Sequence, residues 1–147
     1  MGERVGNPVP KQIRAQLERG EHPLVYELVT RPKAPFDGDG SSWAGRFAAA
    51  IATDDQHELL LTAQRIAVVT TDRRSKEPTI AVSVPRDEVV AVDAAGSGLE
   101  RGRVRFEFRD GSVAHGVMGL ALPRPARRFL AAHEASDPRR RRPGGRR

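Results

Sequence analysis

The sequence predicts a mainly β domain with some helix. Seven antiparallel strands form a partly open barrel, preceded by a short N-terminal helix and capped by a C-terminal helix. The segment from Arg103 to Arg109 alternates charged and apolar residues, which is typical of strands with one buried face. Asp110-Gly111 interrupts this alternation and predicts a two-residue hairpin turn, since both central positions of such a turn need a positive φ. Other β-rich runs recur at hairpin spacing through the middle of the chain.

Composition limits the class of protein. The length of 147 residues predicts one domain, and 5% aromatic residues predict a core built of Val, Ile, Leu and Ala. Cysteine is absent, which excludes disulfides and thiolate metal sites and suits a reducing cytoplasm. Neither a secretory signal nor an apolar run of membrane-spanning length is visible. We therefore expect a cytoplasmic protein.

The net positive charge comes from one end of the chain. Residues 138–147 hold six arginines and no acid, which accounts for the whole net charge of +6, so the preceding residues are neutral overall. We predict a flexible N-terminus over residues 1–9 and a folded domain over 10–136. The arginine-rich composition of the end predicts a disordered tail over 137–147. The arginines of the tail are Arg139, Arg140, Arg141, Arg142, Arg146 and Arg147.

The first elements are a helix, a strand and a loop. Pro10 to Arg19 predicts a short helix, because proline suits the first turn and Ile13 and Leu17 share one face. A strand follows at Leu24–Thr30. The prolines and glycines of Arg31–Ser42 predict a long mobile loop without regular structure.

The segment Trp43–Ala52 is open to two interpretations. Its alanines favour a helix, whereas a period of two places Trp43, Phe47 and Ile51 on one side of a strand. We predict a strand, because the segments that follow it are also strands.

The remaining β-rich runs lead to the final helix. The first two are separated only by Ala63-Gln64 and form either a tight hairpin or one long bent strand. The runs are Glu58–Thr62, Arg65–Thr71, Thr79–Val84, Glu88–Asp93 and the two strands of the central hairpin, Arg103–Arg109 and Ser112–Met118. The helix Arg124–Ala135 has one apolar face, on which Phe129 and Leu130 are expected to plug the barrel. The barrel requires Phe106 and Phe108 to meet Phe129 inside one curled sheet. A long helix over Trp43–Ala52 would exclude both the barrel and the adaptor role.

Three segments resemble bacterial pleckstrin-homology-like (PH/GRAM-like) domains. Leu60–Ile66, which reads LLTAQRI, resembles the family's Leu-Thr-x-x-Arg-Leu signature. Val84–Val92 resembles its Ile-Pro-x-x-x-Ile-x-x-Val strand entry, and Arg103–Ser112 resembles its charged strand ending in Asp-Gly. The likeness covers roughly residues 10–136. It implies a seven-stranded barrel capped by the C-terminal helix and used for binding, not for catalysis.

The same resemblance suggests where an anion would bind. Eukaryotic relatives hold phosphoinositide headgroups with a lysine in the first inter-strand loop and a basic-x-Arg pair on the second strand. Here Arg31 and Lys33 lie in that loop and Arg46 follows, but Ala44 stands where the second cation of the pair is needed. One or two cations do not form a multidentate phosphate site. Arg31, Lys33 and Arg46 are therefore candidate anion or partner contacts, with specific inositide binding not expected.

Two further clusters have structural interpretations. The run from Asp37 to Ser42 begins like a calcium loop but lacks its later ligands, so we predict a turn. His57 with Asp54 and Asp55 combines possible acid–base groups, yet no nucleophile, metal-ligand spacing or phosphate-binding glycine loop accompanies them. We predict no catalytic residue, no metal site and no cofactor.

The sequence thus predicts a binding or adaptor module that is not an enzyme. Its partner is a protein or an anionic membrane surface, with the tail adding electrostatic affinity. The alternative is a nucleic-acid-associated protein held by the tail. Pairing of open strand edges would give a homo-oligomer, which Arg103, Arg105 and Arg109 would oppose by their charge.

Overall fold

The computed structural model of the chain describes residues 7–32, 36–96, 101–119 and 122–137. Within these ranges it contains eight strands, three helices and a short 3₁₀ turn at Arg86–Glu88. The strands are β1 Val25–Thr30, β2 Phe36–Asp37, β3 Gln56–Leu61, β4 Arg65–Thr71, β5 Pro78–Pro85, β6 Val89–Ala94, β7 Arg103–Phe108 and β8 Val113–Met118. The helices are α1 Lys11–Arg14, α2 Trp43–Ala50 and α3 Arg124–Ser136.

The strands form one curled antiparallel sheet in the order β5-β4-β3-β1-β8-β7-β6, with β2 added beside β8. The curl is centred on β1, because its first part pairs with β3 and its last two residues, Val29 and Thr30, pair with β8. The end strands β5 and β6 do not pair with each other, so the sheet is not closed. The mainly β fold with a short N-terminal and a C-terminal helix is confirmed.

The prediction of a strand at Trp43–Ala52 is wrong, because this segment forms α2. The Ser42 hydroxyl accepts a hydrogen bond from the Gly45 N–H at 3.0 Å and caps the helix. Phe47, Ala44 and Ala48 are buried on one helical face. The sheet curls without the predicted strand. α2 is eight residues long, contacts β5, β7 and β8, and fills part of the concave side of the sheet.

The core forms where the two longer helices meet the concave face. The Phe47 ring lies 5.0 Å from that of Phe106, and Phe106 lies 6.0 Å from Phe129, measured between centroids. Phe129 is fully buried and Leu130 is half-buried, so the expected cap by α3 is confirmed. Aromatic pairs at these distances add to the free energy gained from burial of apolar area.

A smaller apolar cluster covers the outer face of β1, β3 and β4. Ile13 of α1 is fully buried there against Tyr26 and Leu60, with Leu17 and Val9 packed around it. The predicted helix at Pro10–Arg19 is confirmed but is only one turn long. The Asn7 N–H donates to the Tyr26 carbonyl oxygen at 2.8 Å, so the end of the segment predicted to be flexible lies against the sheet.

Other predictions need correction in detail. The loop Arg31–Ser42 contains β2, which pairs with β8. The strands β3 and β4 form a tight hairpin, which settles the alternative left open by the sequence. The β7–β8 turn is longer than two residues: Phe108 N–H bonds to Ser112 O, and Gly111 is the turn residue with positive φ, at 88°.

The charged residues expected to protect a sheet edge are not at an edge. Arg103 and Arg105 lie on β7, which is an interior strand between β6 and β8, and Arg109 follows it in the turn. The exposed edges of the sheet belong to β5 and β6 instead.

Candidate functional site

The predicted cation site is not assembled in the part of the chain that the structure describes. Arg31 is exposed and lines a cavity of about 280 Å³ together with Asp54 and Asp55. Arg46 lies on α2 with its guanidinium carbon 4.1 Å from the centre of the Trp43 ring, beside a different cavity. Lys33 and all six tail arginines lie outside the described residues.

Arg46 belongs to a local network at the start of α2. The Trp43 N–H donates to Asp110 Oδ2 at 2.8 Å, and the Trp43 indole N–H donates to Glu88 Oε1 at 3.2 Å. Burial would raise the pKa of Asp110, but hydrogen bonds from Ser112 and Trp43 and the charge of Arg46 hold that pKa below its ordinary value. Arg46 therefore has structural partners that an added anion would have to replace.

His57 is buried in a network of hydroxyl groups. Its Nδ1 lies 3.1 Å from Thr70 Oγ1, and its Nε2 lies 3.0 Å from Thr53 Oγ1. Both ring nitrogens therefore have protein partners, and the imidazole holds the β3–β4 hairpin to the segment before it. Asp37 ends β2, and Gly38–Ser42 form a turn in which Asp39 accepts hydrogen bonds from Ser41. Among the described residues, no group of three or more His, Asp or Glu side chains is placed to hold a metal ion.

The buried charges hold the termini of the domain onto the sheet. Glu21 receives two hydrogen bonds from Arg65, at 2.8 and 2.9 Å, and one from the Thr62 hydroxyl at 2.7 Å. These bonds, against the opposing effect of burial, lower the pKa of Glu21 from 4.5 to about 2. The threonine and arginine of the segment LLTAQRI thus anchor the chain that precedes β1.

Arg86 makes the corresponding attachment for α3. It is buried, and its guanidinium donates to the Thr62 carbonyl at 2.7 Å and to the His133 Nδ1 and Ser136 hydroxyl at 3.2 and 3.1 Å. His133 Nδ1 accepts this bond, so its proton lies on Nε2, which is 3.8 Å from Asp137 Oδ2. Sequence reasoning identified neither attachment, because Arg86 and His133 are 47 residues apart.

A groove runs between the edge strand β6 and α3, and we call it the β6–α3 groove. It has a volume of about 550 Å³. Its strand side is residues 90–94, and its helix side includes Arg127, Leu130, His133, Glu134 and Asp137.

The side chains that line this groove differ in chemistry. Val90 is 41% exposed and Leu130 is half-buried, so apolar side chains reach its surface. The lining also includes Asp93, Glu134 and Asp137, whose three carboxylates we call the rim, and Arg127 is its one arginine among the residues that the structure describes. The lining therefore combines exposed apolar side chains with three carboxylates and one arginine.

The backbone of β6 is oriented toward this groove at alternate residues. The Ala95 N–H donates to the Arg103 carbonyl of β7 at 2.9 Å, and Asp93 pairs with Arg105. Because peptide groups in an antiparallel strand alternate in direction, those of Val92 and Ala94 are directed away from β7. No other strand pairs with this side of β6 among the described residues.

No helix among the described residues has the length and hydropathy needed to cross a bilayer. No protein-family model matches the sequence, and no curated protein matches it. Among solved structures, the C-terminal domain of an unknown protein from Leishmania infantum is similar over 80% of this chain and 84% of that chain. The two share 13% identity at a TM-score of 0.47, a level at which neither fold family nor function is transferred.

Proposed function

We propose that the chain is a pleckstrin-homology-like binding module that takes an extended segment of a protein partner into the β6–α3 groove. The family assignment is supported by the strand order, in which seven strands follow one path and the first strand pairs with the last. It is further supported by α3, whose Phe129 packs against Phe106 in the core while the helix contacts β1, β3, β6 and β8.

The observation that carries the proposal is the exposed edge of β6 beside an apolar groove. An extended peptide can add to such an edge as a further strand, and the main-chain hydrogen bonds then supply affinity. The peptide groups of Val92 and Ala94 would make those bonds, while Val90 and Leu130 would contact the peptide's apolar side chains. The three carboxylates of the rim favour basic residues at the alternate positions.

The other edge strand is less suited to this role. β5 begins at Pro78 and ends at Pro85, and its register with β4 shifts so that Ala81 has no partner residue. Prolines at both ends of an edge strand hinder strand addition, and a bulge interrupts its ladder. β6 also has a bulge, at Val90, but this bulge precedes the outward peptide groups of Val92 and Ala94. The cavity beside β5 is lined by Trp43, Arg46 and small residues, with no carboxylate among the side chains that line it.

The test uses a display library of random 12-residue peptides selected on the full chain. The selected peptides are then measured by fluorescence anisotropy against Ala94→Pro and Ala94→Val. Proline removes the outward N–H and its ring blocks a neighbouring strand, so we expect binding at least about tenfold weaker. Valine keeps the N–H at an exposed position and should bind within about threefold of the wild type.

Circular dichroism and urea unfolding check that both variants fold. Selected peptides that bind Ala94→Pro as tightly as the wild type would refute strand addition at β6. A library that yields no peptide competing for this groove would refute the proposed function as a whole.

A second candidate function is association with nucleic acid through the tail. The six arginines of the tail favour it, because phosphate contacts by arginine give affinity that falls steeply with salt. The full chain with Arg139, Arg140, Arg141 and Arg142 replaced by serine should then lose retention on duplex DNA at about 0.1 M salt. Retention by this variant would exclude the tail as the binding element.

A further inference from the structure

We infer that the chain's own arginine-rich tail occupies the β6–α3 groove and competes with the partner segment for it. The inference rests on the proposed function, because it names a regulator of the same site. Its basis is the charge of the groove, the point at which the tail leaves the domain and the length of the tail.

Charge complementarity is the first argument. The net charge of residues 1–137 is zero, yet the lining of this groove includes Asp93, Glu134 and Asp137 against one arginine. The tail holds six arginines without any acid. Each guanidinium offers five N–H donors in a planar fork that matches carboxylates, and charge-assisted hydrogen bonds of this kind are stronger than neutral ones.

Position and length are the second argument. α3 ends at Ser136, and Asp137, the last residue before the tail, lines the groove. Ten extended residues span up to about 33 Å, whereas the six residues of β6 span about 20 Å. The tail is therefore long enough to lie along the whole of β6. A segment tethered so closely is present at an effective concentration in the millimolar range.

The side-chain chemistry of arginine fits the mixed lining. Its aliphatic stem can cover Val90 and Leu130 while the guanidinium reaches the carboxylates of the rim. In an extended segment Arg139 and Arg141 point to one side, and Arg140 and Arg142 point to the other. One pair of arginines thus faces the groove in either register. A partner must displace these contacts, so the partner's apparent affinity for the groove is lower. The partner's binding therefore also depends on any other ligand that binds the tail.

The experiment uses the full-length protein in three forms. The first is the wild type. The second, the tail variant, carries serine at Arg139, Arg140, Arg141 and Arg142. The third, the matched control, carries serine at four exposed arginines of the domain, Arg14, Arg19, Arg73 and Arg74, so that the same charge is removed elsewhere.

Amide chemical shifts are recorded by NMR in each form. We expect the tail variant to differ from the wild type at Val92, Asp93, Ala94 and Leu130. Raising the salt to about 1 M, where the Debye length is about 3 Å, should move the wild-type shifts of these amides toward those of the variant. The control should leave them at their wild-type positions. Identical shifts in the tail variant and the wild type, or changes confined to other surfaces, would overturn the inference.

Binding in trans separates this inference from the proposed function. A fluorescein-labelled peptide of residues 138–147 should bind the tail variant at least about tenfold more tightly than the wild type, because the wild-type tail competes with it. Asp93→Asn with Glu134→Gln, introduced into the tail variant, should weaken that binding. Equal binding to wild type and tail variant would refute occupancy of the groove by the tail.

The library-selected peptides then complete the separation. If they bind the groove with the same affinity in the wild type and the tail variant, the tail inference fails while the proposed function stands. If the tail peptide occupies the groove but no library peptide enters it even in the tail variant, the proposed function fails. If the tail shifts respond to anionic vesicles or DNA while the groove amides never change, the tail acts outside the domain and the inference is wrong.

Discussion

Replacing Glu21 with glutamine should destabilise the domain strongly at neutral pH and hardly at all in acid. The Glu21 side chain is fully buried, accepts hydrogen bonds from Arg65 and Thr62, and also accepts one from the Glu18 N–H at 2.9 Å. Despite the opposing effect of burial, these partners lower its pKa from 4.5 to about 2. A difference of about 2.5 units between unfolded and folded chain corresponds to about 3 kcal/mol.

The sign of the pH dependence follows from the lowered pKa. A carboxylate with a depressed folded-state pKa contributes its stability fully above pH 4.5, and loses it as the pH falls toward 2. We therefore expect Glu21→Gln to lower the free energy of unfolding by about 2–3 kcal/mol at pH 7. Near pH 2 the protonated wild type resembles the variant, so the two unfolding curves should converge.

Urea unfolding measured from pH 7 to pH 2 tests this expectation. The matched control is Glu77→Gln, an exposed carboxylate, which should stay within about 0.5 kcal/mol of the wild type at every pH. A loss for Glu21→Gln that is constant across the pH range would refute the ionic origin of the effect and leave only packing. A loss below about 0.5 kcal/mol at pH 7 would refute the assignment of Glu21 as a buried ionic anchor.

Three further substitutions test the packing of the fold. Phe129→Ala should cost about 3–5 kcal/mol in urea unfolding, because it empties the core beneath α3, and a smaller loss would contradict the capping role. Gly102→Ala places a Cβ 1.8 Å from the Met118 carbonyl oxygen, so we expect a loss of about 3 kcal/mol or more in thermal unfolding, and a neutral result would contradict the close approach. Arg86→Met removes hydrogen-bond donors to Thr62 and to α3, so we expect the free energy of unfolding to fall by about 2–3 kcal/mol. Amide hydrogen exchange should become faster in α3 than in β4. An equal increase in both elements would contradict a local attachment of α3 by Arg86.

The strands could be predicted from the sequence because each buries one face. Val104, Phe106 and Phe108 are buried in the structure, while the residues between them are more exposed. The same period located β1, β5 and β6 to within two residues of their observed ends. Local alternation suffices here, since a strand with one face on the core leaves this pattern whichever strands it pairs with.

The helix α2 could not be recognised from the same pattern. Trp43, Phe47 and Ile51 are spaced by four residues, and this spacing satisfies a period of two as well as a helical period of 3.6. The residues that distinguish the two are Ala44 and Ala48, which are buried on the helical face and would lie on the opposite face of a strand. Alanine is small enough to lie on the surface or in the core, so burial of these two residues could not be inferred from their type. The cap at Ser42 was the available signal.

The β6–α3 groove could not be predicted from the sequence, because it depends on how α3 is attached to the sheet. Phe129 and Leu130 were both expected to plug the core. Phe129 is buried in it, and Leu130 packs against the same cluster while also lining the β6–α3 groove. The end of α3 is attached to the sheet by Arg86, which joins His133 to Thr62 in the β3–β4 turn. Contacts between residues so distant in sequence leave no local pattern. A change that removes this attachment should therefore alter the β6–α3 groove together with the stability of α3. We expect the NMR chemical shifts of the groove amides to change in Arg86→Met, even though Arg86 is not part of the groove's lining.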